Sequence, residues 1–273
     1  MDDFQVRIDR LDIGLFQHVP SQTTENERKA LLALQLTLRR LQPFVYLEIG
    51  SYLGGSLQPY LLDCRCNAVI SIDPRPEAPA DARGFKGAYG VSLQDMLNGL
   101  KKIPGADMKK LHNINASTGG LSARDLPQRP DICFIDGEHT DMAVVTDSRF
   151  CLSVLGENGL IVFHDANLVY GGIETFVREL ATSGRSFRAF NFLDSVFFIE
   201  LGNMRVSEAE PVCSLLSESY RGYLWSLAQT DHYRTFYLLP VCRFYRWLKI
   251  KIWDRIVRRI PFPVKRGKSA PLL

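Results

Sequence analysis

The 273-residue sequence lacks the features that mark exported, membrane-spanning and repeat proteins. It begins Met1-Asp2-Asp3-Phe4, without a basic start and an apolar run, so no secretory signal is expected. No uncharged apolar stretch reaches the roughly 18 residues of a membrane-spanning helix, and no internal repeat or low-complexity block is present. The six cysteines form no CxxC pair. Reduced thiols in a cytoplasmic protein are therefore expected.

The composition is that of a globular protein whose charge is unevenly distributed. Apolar residues make up 46% of the chain and charged residues 23%, and the net charge is +3. Residues 241–268, however, contain ten Lys or Arg and the single acid Asp254, which leaves the rest of the chain acidic. This shift predicts three parts: an N-terminal helical segment at 1–43, an α/β domain at 44–202 and a helical, basic extension at 203–273.

Strand and helix patterns alternate along the first 200 residues. Thr24-Glu25-Asn26-Glu27 fits a capping box, and apolar residues at helical spacing follow it as far as Pro43. Further patterns predict strands at 44–49, 68–72, 110–115, 131–135 and 160–163, helices at 56–62, 92–103, 140–155 and 173–181, a loop at 75–89, and a hairpin of 187–192 with 196–200. The alternation predicts a doubly wound α/β fold whose sheet is mostly parallel, and the hairpin adds one antiparallel strand.

Polar and charged residues follow nearly every predicted strand. In an open α/β sheet, ligands bind at the carboxyl ends of the strands. Those ends carry Glu48-Ile49-Gly50, Asp73, Asn115-Ala116-Ser117, Asp136-Gly137-Glu138-His139 and His164-Asp165. A purely structural sheet would not need this concentration, so a ligand site is predicted along this edge.

The turn after the first strand, Glu48-Ile49-Gly50-Ser51-Tyr52-Leu53-Gly54-Gly55-Ser56, suits a cationic ligand. Glycines let the backbone approach a ligand closely. The turn is not GxGxxG and no GK[ST] follows, so it matches neither a dinucleotide fingerprint nor a P-loop. The acid before the first glycine would repel a pyrophosphate. Asp73, at the end of the next strand, stands where a carboxylate accepts the hydroxyls of a ribose.

These motifs resemble class I S-adenosylmethionine-dependent methyltransferases, and most of all the branch that contains macrocin-type sugar O-methyltransferases. The similarity covers about residues 44–200 and lies in Glu-x-Gly-x-x-x-Gly, Asp73, Phe134-Ile135-Asp136-Gly137-Glu138-His139-Thr140 and Gly159-Leu160-Ile161-Val162-Phe163-His164-Asp165. It implies a seven-stranded Rossmann-like sheet with strand 7 antiparallel. It also implies S-adenosylmethionine as cofactor, bound by Glu48, Gly50, Ser51, Tyr52, Leu53, Gly54, Ser56, Asp73, Ser117, Asp136 and Gly137.

The resemblance also raises the question of whether a divalent metal ion is bound. In metal-dependent members of that branch, the first acid of an Asp-Gly-Asp motif and a pair of acids after strand five bind Mg²⁺. Asp136, His164 and Asp165 stand at those positions here, and His164 replaces an acid. Because Mg²⁺ prefers oxygen ligands and imidazole suits Mn²⁺, Fe²⁺ or Zn²⁺ better, both a metal site and a metal-free site stay open.

Glu138, His139 and His164 are the candidate catalytic residues. The reaction would be an in-line transfer of a methyl group from a sulfonium to an oxygen nucleophile, which requires alignment of two atoms and removal of the hydroxyl proton. An imidazole takes up a proton near neutral pH, and a carboxylate at the same edge has the same capacity. Glu138 or His139 is the expected base, and His164 an acid/base or orienting group.

The basic extension contains apolar residues at helical spacing, with Trp247 and Trp253 beside them. A basic amphipathic helix with tryptophans is typical of segments that lie on an anionic membrane surface. An oligomer interface and a helix packed on its own domain are the alternatives. Nucleic acid is not expected, because no recognised binding module accompanies the charge.

The sequence therefore predicts an O-methyltransferase that acts on a sugar hydroxyl of a glycan, glycolipid or glycosylated metabolite, in the cytoplasm or at the inner face of the membrane. Methylation of a phenol or another small metabolite is the alternative within enzymes. A domain that binds the cofactor without turnover, or a scaffold, is the alternative of another class.

Overall fold

The computed structural model describes residues 3–75, 91–193 and 195–216, in which helices and strands alternate. The strands are β1 (Phe44–Ile49), β2 (Cys66–Ile72), β3 (Leu111–Ile114), β4 (Ile132–Ile135), β5 (Gly159–Phe163), β6 (Phe187–Asn191) and β7 (Phe197–Leu201). The α-helices are α1 (Asp3–Asp9), α2 (Glu25–Leu41), α3 (Gln58–Leu62), α4 (Leu93–Leu100), α5 (Asp141–Val154), α6 (Ala166–Thr182) and α7 (Val212–Leu215). The helix predicted in the basic extension and most of the loop predicted at 75–89 lie outside the described residues.

All the strands of the described residues belong to one sheet, in the order β3-β2-β1-β4-β5-β7-β6. Strands β1 to β5 are parallel to one another, and β7 runs antiparallel to both β5 and β6. Such a mixed sheet needs crossover helices between its parallel strands, and the alternation of elements supplies them. The predicted fold class is confirmed, including the antiparallel strand 7.

The strands bury apolar residues on both faces, which is why they read as continuous apolar runs. Phe44 and Tyr46 of β1 belong to a core that includes residues of α1–α4, whereas Val45 and Leu47 belong to a second core that includes residues of α5 and α6. Sheets covered by helices on both sides require this pattern. The sheet is thus the middle layer of three, and its carboxyl edge stays free for a site.

The N-terminal segment packs on the first of these cores. The predicted capping box of α2 is present: the Thr24 side chain accepts from Glu27 N, and the Glu27 side chain accepts from Thr24 N. α1 was not predicted, because its seven residues show no clear helical period. Core residues of α1, α2 and α7 share one cluster with the sheet, although the division of the chain at residues 43 and 202 stays a prediction.

Helix α6 begins seven residues before the predicted start at Ile173. Two adjacent glycines concealed it, because Gly171 and Gly172 interrupt the apolar pattern. Both lie against Asp141 at the beginning of α5, and Gly172 N donates to Asp141 Oδ1 at 2.7 Å. A side chain at either glycine would collide with Asp141. Among the described helices, none combines the length and apolarity needed to cross a membrane.

Candidate functional site

The turn after β1 requires glycine where it passes the end of β4. Gly50 has a φ of +88°, and a Cβ there would lie 2.2 Å from the backbone oxygen of Asp136. Gly54 has a φ of +79°, and Tyr52, with a φ of +46°, is also left-handed. Left-handed backbone is strained for residues other than glycine. Gly50 therefore permits a close approach between this turn and the end of β4, and the predicted approach of the turn to a ligand stays a prediction.

Glu48 lies beneath this turn rather than on its surface. Its side chain is fully buried and accepts hydrogen bonds from Tyr46 Oη at 2.5 Å and Ser56 Oγ at 2.7 Å. Burial raises the pKa of Glu48 to about 7, although both hydroxyls oppose the shift. Glu48 and Ser56, both predicted to bind the cofactor, thus hold each other below the turn, with Ser51 buried and Leu53 packed against the first core.

Asp73 connects the end of β2 to the turn after β1, residues 50–54, hereafter the glycine turn. Its Oδ2 accepts from Tyr52 N at 2.8 Å, and its Oδ1 accepts from Arg75 N at 2.9 Å. The Arg75 guanidinium donates to the carbonyl oxygen of Tyr52, so the two residues hold Tyr52 from both sides. Each carboxylate oxygen keeps a second lone pair, and the predicted ribose contact remains compatible with this arrangement.

A hydrogen-bonded pair that was not predicted from the sequence links the segment after β3 to helix α5. Ser117 is exposed, but the next residue, Thr118, is buried and donates to Asp147 Oδ1. A Cβ on Gly137 would lie 3.4 Å from Asp147 Oδ2, so this carboxyl lies between Gly137 and Thr118. Burial raises the pKa of Asp147 to about 6. The predicted adenine side of the site is therefore bordered by a buried acid.

The ends of β4 and β5 bring two histidines and two acids together. His164 Nδ1 lies 2.8 Å from Asp136 Oδ1 and 3.5 Å from Asp165 Oδ2. His139 Nε2 lies 3.2 Å from Asp165 Oδ2 and 3.6 Å from Asp136 Oδ1. His164 is buried, with 6% of its side chain exposed, whereas His139 and the two acids are partly exposed. The four groups are hereafter the His/Asp cluster.

Two residues from distant parts of the chain complete the surroundings of the cluster. Glu27, in the first turn of α2, lies with its Oε2 3.0 Å from His164 Nε2, and Ser195 Oγ donates to its Oε1. Ser195 Oγ also lies 3.3 Å from Asp165 Oδ1. Neither residue was predicted, because the capping box accounts for Glu27 and the hairpin turn accounts for Ser195. Only the fold shows that Glu27 contacts His164 and Ser195, which both lie more than 100 residues away in the sequence.

The cluster is electrostatically suited to positive charge. Burial alone would lower the pKa of His164, but Asp136 and Glu27 outweigh it and raise that pKa to about 11. Asp136 and Asp165 raise the pKa of His139 to about 9. Burial raises the pKa of Glu27, and the contact with His164 overcomes this and lowers it to about 2. Without another cation, both imidazoles are therefore protonated at neutral pH.

The remaining candidate, Glu138, stands apart from the cluster. Its side chain is exposed, and Thr140 Oγ1 donates to Oε1 at 3.0 Å. Among the described residues, the ligand atoms of Asp136, His139 and His164 lie within 4.8 Å of one another, as do those of Glu27, His164 and Asp165. The site thus offers the exposed carboxylate of Glu138 to an incoming ligand. It also contains a separate group of nitrogen and oxygen atoms with the spacing of metal ligands.

Comparison with known proteins shows a similarity to methyltransferases. Residues 47–166, from β1 to the beginning of α6, match the family model described as a methyltransferase domain. The match covers the glycine turn, Asp73, the β4 end and all four residues of the His/Asp cluster, but neither Glu27 nor Ser195. Residues 47–166 are thus similar to a methyltransferase domain, which supports the predicted class of enzyme, a methyltransferase.

Individual relatives are more distant. An uncharacterised protein of Acanthamoeba polyphaga mimivirus is 26% identical over 121 residues, which cover 44% of this chain and 50% of that protein. The chain thus spans half the length of this relative. Among solved structures, the O-methyltransferase TomG from Streptomyces achromogenes, in complex with SAM, has a TM-score of 0.46 at 16% identity, with coverage of 74% and 90% of the two chains. A Podospora anserina methyltransferase bound to SAH has a TM-score of 0.48 at 15% identity, with coverage of 74% and 89%.

Proposed function

We propose that the protein is an S-adenosylmethionine-dependent O-methyltransferase whose acceptor is a sugar hydroxyl. The observation that carries this proposal is the convergence of the glycine turn, Asp73, Glu138 and the His/Asp cluster at one edge of the sheet. A methyltransferase domain needs a methyl donor, and S-adenosylmethionine supplies an electrophilic methyl group on a sulfonium. The glycines of the turn would let such a ligand lie close to the backbone, and the surrounding carboxylates would favour its positive charge.

The residues at the edge divide the binding of the cofactor between them. The turn from Gly50 to Gly54 would lie along the methionine part, and Asp73 would accept from the ribose hydroxyls. Gly137 and Ser117 would border the adenine, with Asp147 and Thr118 fixing that side. Glu48 would act from below, by holding Ser56 and the turn in place rather than by touching the ligand.

Glu138 is the proposed base. It is exposed, and its hydrogen bond to Thr140 leaves carboxylate lone pairs available for a hydroxyl proton. His139 was the other candidate, but the acids beside it raise its pKa to about 9, which leaves it protonated near neutral pH. His139 would instead orient the acceptor oxygen. Buried His164 holds the cluster together from within.

The acceptor is proposed from the polarity of the rim. The acids Asp136, Glu138 and Asp165 match the vicinal hydroxyls of a sugar as hydrogen-bond acceptors. Met142, with 81% of its surface exposed, and Leu168, with 41%, lie at the beginnings of α5 and α6, beside the same edge. A sugar attached to an apolar group, as in a glycolipid or a glycosylated metabolite, would satisfy both features. A phenolic acceptor offers a single hydroxyl and therefore matches this set of hydrogen-bond acceptors less well.

The basic extension is proposed to bring the enzyme to an anionic membrane surface. Ten basic residues and one acid occur in residues 241–268, together with Trp247 and Trp253. Basic residues attract anionic lipid headgroups, and interfacial tryptophans add a contribution that salt does not remove. A glycolipid acceptor would be presented at such a surface.

Glu138→Gln tests the chemistry directly. We expect turnover on a sugar acceptor to fall by about 10²–10⁴-fold, the usual contribution of a positioned base, while calorimetry shows unchanged affinity for S-adenosylhomocysteine. Glu157→Gln, an exposed carboxylate away from the strand ends, is the matched control. Absence of S-adenosylhomocysteine binding by the wild type would refute the cofactor, and unchanged turnover in the variant would refute the base.

A further inference from the structure

The hydrogen bond between His164 and Glu27 fixes where the proton of the imidazole lies. Nε2 is 3.0 Å from Glu27 Oε2, and an ionised carboxylate can only accept, so Nε2 carries the hydrogen. Nδ1 lies 2.8 Å from Asp136 Oδ1 but makes no hydrogen bond with it, and it has no hydrogen-bond partner among the described residues. The distance is short, whereas the direction is unsuitable for an N–H donor.

His139 repeats this arrangement from the other side. Its Nε2 is within 3.2 Å of Asp165 Oδ2 and 3.6 Å of Asp136 Oδ1, yet within the described residues it too makes no hydrogen bond. Each of the two ring nitrogens thus lies within 3.6 Å of both carboxylate oxygens, and the ligand atoms of Asp136, His139 and His164 all lie within 4.8 Å of one another. Ligand atoms held at about 2.0–2.2 Å from one metal ion stand about 3 Å apart, which is the spacing seen between these atoms.

We propose that the His/Asp cluster is a site for a first-row transition-metal dication, with His164 Nδ1, His139 Nε2, Asp136 and Asp165 as ligands and Glu27 as a positioning residue. A Mg²⁺ site of the kind that the family resemblance implies does not fit these residues. Mg²⁺ demands oxygen ligands, whereas two of the four donors here are imidazole nitrogens, which favour Mn²⁺, Co²⁺ or Zn²⁺.

Glu27 acts on the proposed site through the far side of the ring. Histidines that bind metals generally donate their other N–H to a carboxylate, which fixes the tautomer and raises the basicity of the coordinating nitrogen. Glu27 is itself held by Thr24 N at 2.7 Å and by Ser195 Oγ. Helix α2 therefore supplies the group that turns His164 Nδ1 into a ligand, although it supplies no ligand of its own.

The metal site deepens the proposed function at the same centre, but its test does not depend on methyl transfer. The full chain is freed of metal with a chelator and titrated with Co²⁺ without cofactor or acceptor, and binding is followed by calorimetry and by the visible absorption of the ion. We expect one Co²⁺ per chain, an absorption band typical of mixed nitrogen and oxygen ligands, and no displacement by excess Mg²⁺. Absence of Co²⁺ binding, or ready displacement by Mg²⁺, overturns the proposal.

Variants separate ligands from the positioning residue. His164→Asn and His139→Asn should each abolish tight Co²⁺ binding, whereas His18→Ala, an exposed histidine outside the cluster, should leave it unchanged. Glu27→Gln should weaken Co²⁺ affinity about 10–100-fold, as outer carboxylates of metal sites do. Circular dichroism verifies that each variant is folded. Co²⁺ binding that survives both histidine substitutions places the ion elsewhere and overturns the assignment, whatever the methyltransferase assay shows.

Discussion

At the residue scale, several carboxylates of this protein serve the fold and the site at once. Asp73 holds the strained backbone of Tyr52, and it is also the residue expected to accept the ribose hydroxyls. Glu27 caps α2 and contacts His164. Because each such acid has two oxygens with two lone pairs, one contact does not exclude another. Substitutions at these positions therefore need controls that separate the two tasks.

Asp73→Ala should weaken the binding of S-adenosylhomocysteine by roughly tenfold or more, since each hydrogen bond lost from a charged acceptor costs about 1.5–3 kcal/mol. Calorimetry measures the effect, with Asp107→Ala, an exposed carboxylate near β3, as the control. Repeating the titration with a ribose 2′-deoxy analogue isolates the ribose contact. The wild type should discriminate against the analogue and the variant should not. Equal discrimination by both would limit Asp73 to supporting the turn.

Glu48→Gln should remove a pH dependence of stability. Because burial raises the pKa of Glu48 from 4.5 to about 7, the folded state binds this proton more tightly than the unfolded state. Its contribution is fully present below pH 4.5 and is lost as the pH rises to 7, by about 3 kcal/mol in total. Urea unfolding from pH 4.5 to 8 should show the full decline in the wild type and in Glu157→Gln, and a decline smaller by this contribution in Glu48→Gln, where Asp147 still titrates. An unchanged slope in the variant would contradict the assignment.

At the element scale, α2 is anchored to the end of α3 by a buried ion pair. Arg39 and Asp63 are 5% and 0% exposed, and their Nε and Oδ2 atoms lie 3.0 Å apart. Gln35 Nε2 donates to the same carboxylate at 3.0 Å, and Arg65 N donates to it at 2.9 Å. The helix that carries Glu27 toward the His/Asp cluster is thus fixed at its opposite end by a group with no part in the chemistry.

Asp63→Ala should therefore destabilise the protein by about 3–5 kcal/mol, because it leaves a buried guanidinium without its partner. Urea unfolding measures the loss. The double variant Arg39→Met with Asp63→Ala should recover part of it, since the unpaired charge is then absent. A loss of less than about 1 kcal/mol in the single variant would contradict a buried, strong pair. Equal stability of the single and double variants would assign the loss to packing.

The elements and the strand-end residues were predictable, but the contacts across the site were not. Apolar runs between glycines and polar ends gave β1, β4 and β5, and the order of motifs gave Asp136, His139, His164 and Asp165 as neighbours. Glu27 and Ser195 escaped because each has a sufficient local explanation in the sequence. Asp147 escaped because a polar residue in a helix is normally solvated, and only the packing of α5 against the end of β3 buries it.

At the scale of the whole molecule, the proposed catalytic edge and the proposed membrane segment are separable. The strand-end motifs all lie before residue 202, and the strongly basic part of the extension, residues 241–268, lies well after them. A chain ending at residue 235 should keep its affinity for S-adenosylhomocysteine. The full chain should co-sediment with anionic vesicles, less at high salt, and hardly with neutral ones, since each basic residue near the surface contributes about 1 kcal/mol and salt screens it.

The truncated chain should lose this co-sedimentation. Unfolding of the truncated chain would instead make the extension a structural part of the domain, and dissociation of an oligomer would make it an interface. Vesicle binding that persists after truncation would assign the membrane contact to another surface. Each of these outcomes contradicts the proposed role of residues 241–268.

The position of β7 has a consequence for biosynthesis. β7 is synthesised last of the seven strands, but it lies inside the sheet, between β5 and β6. Until residue 201 has left the ribosome, β5 presents an unpaired edge and β6 has no strand to pair with. Ser195, which contacts Glu27 and Asp165, emerges at almost the same moment. A nascent chain that stalls before this point therefore carries nearly the whole domain with an open, apolar edge, which is the kind of surface that chaperones cover and that aggregates otherwise.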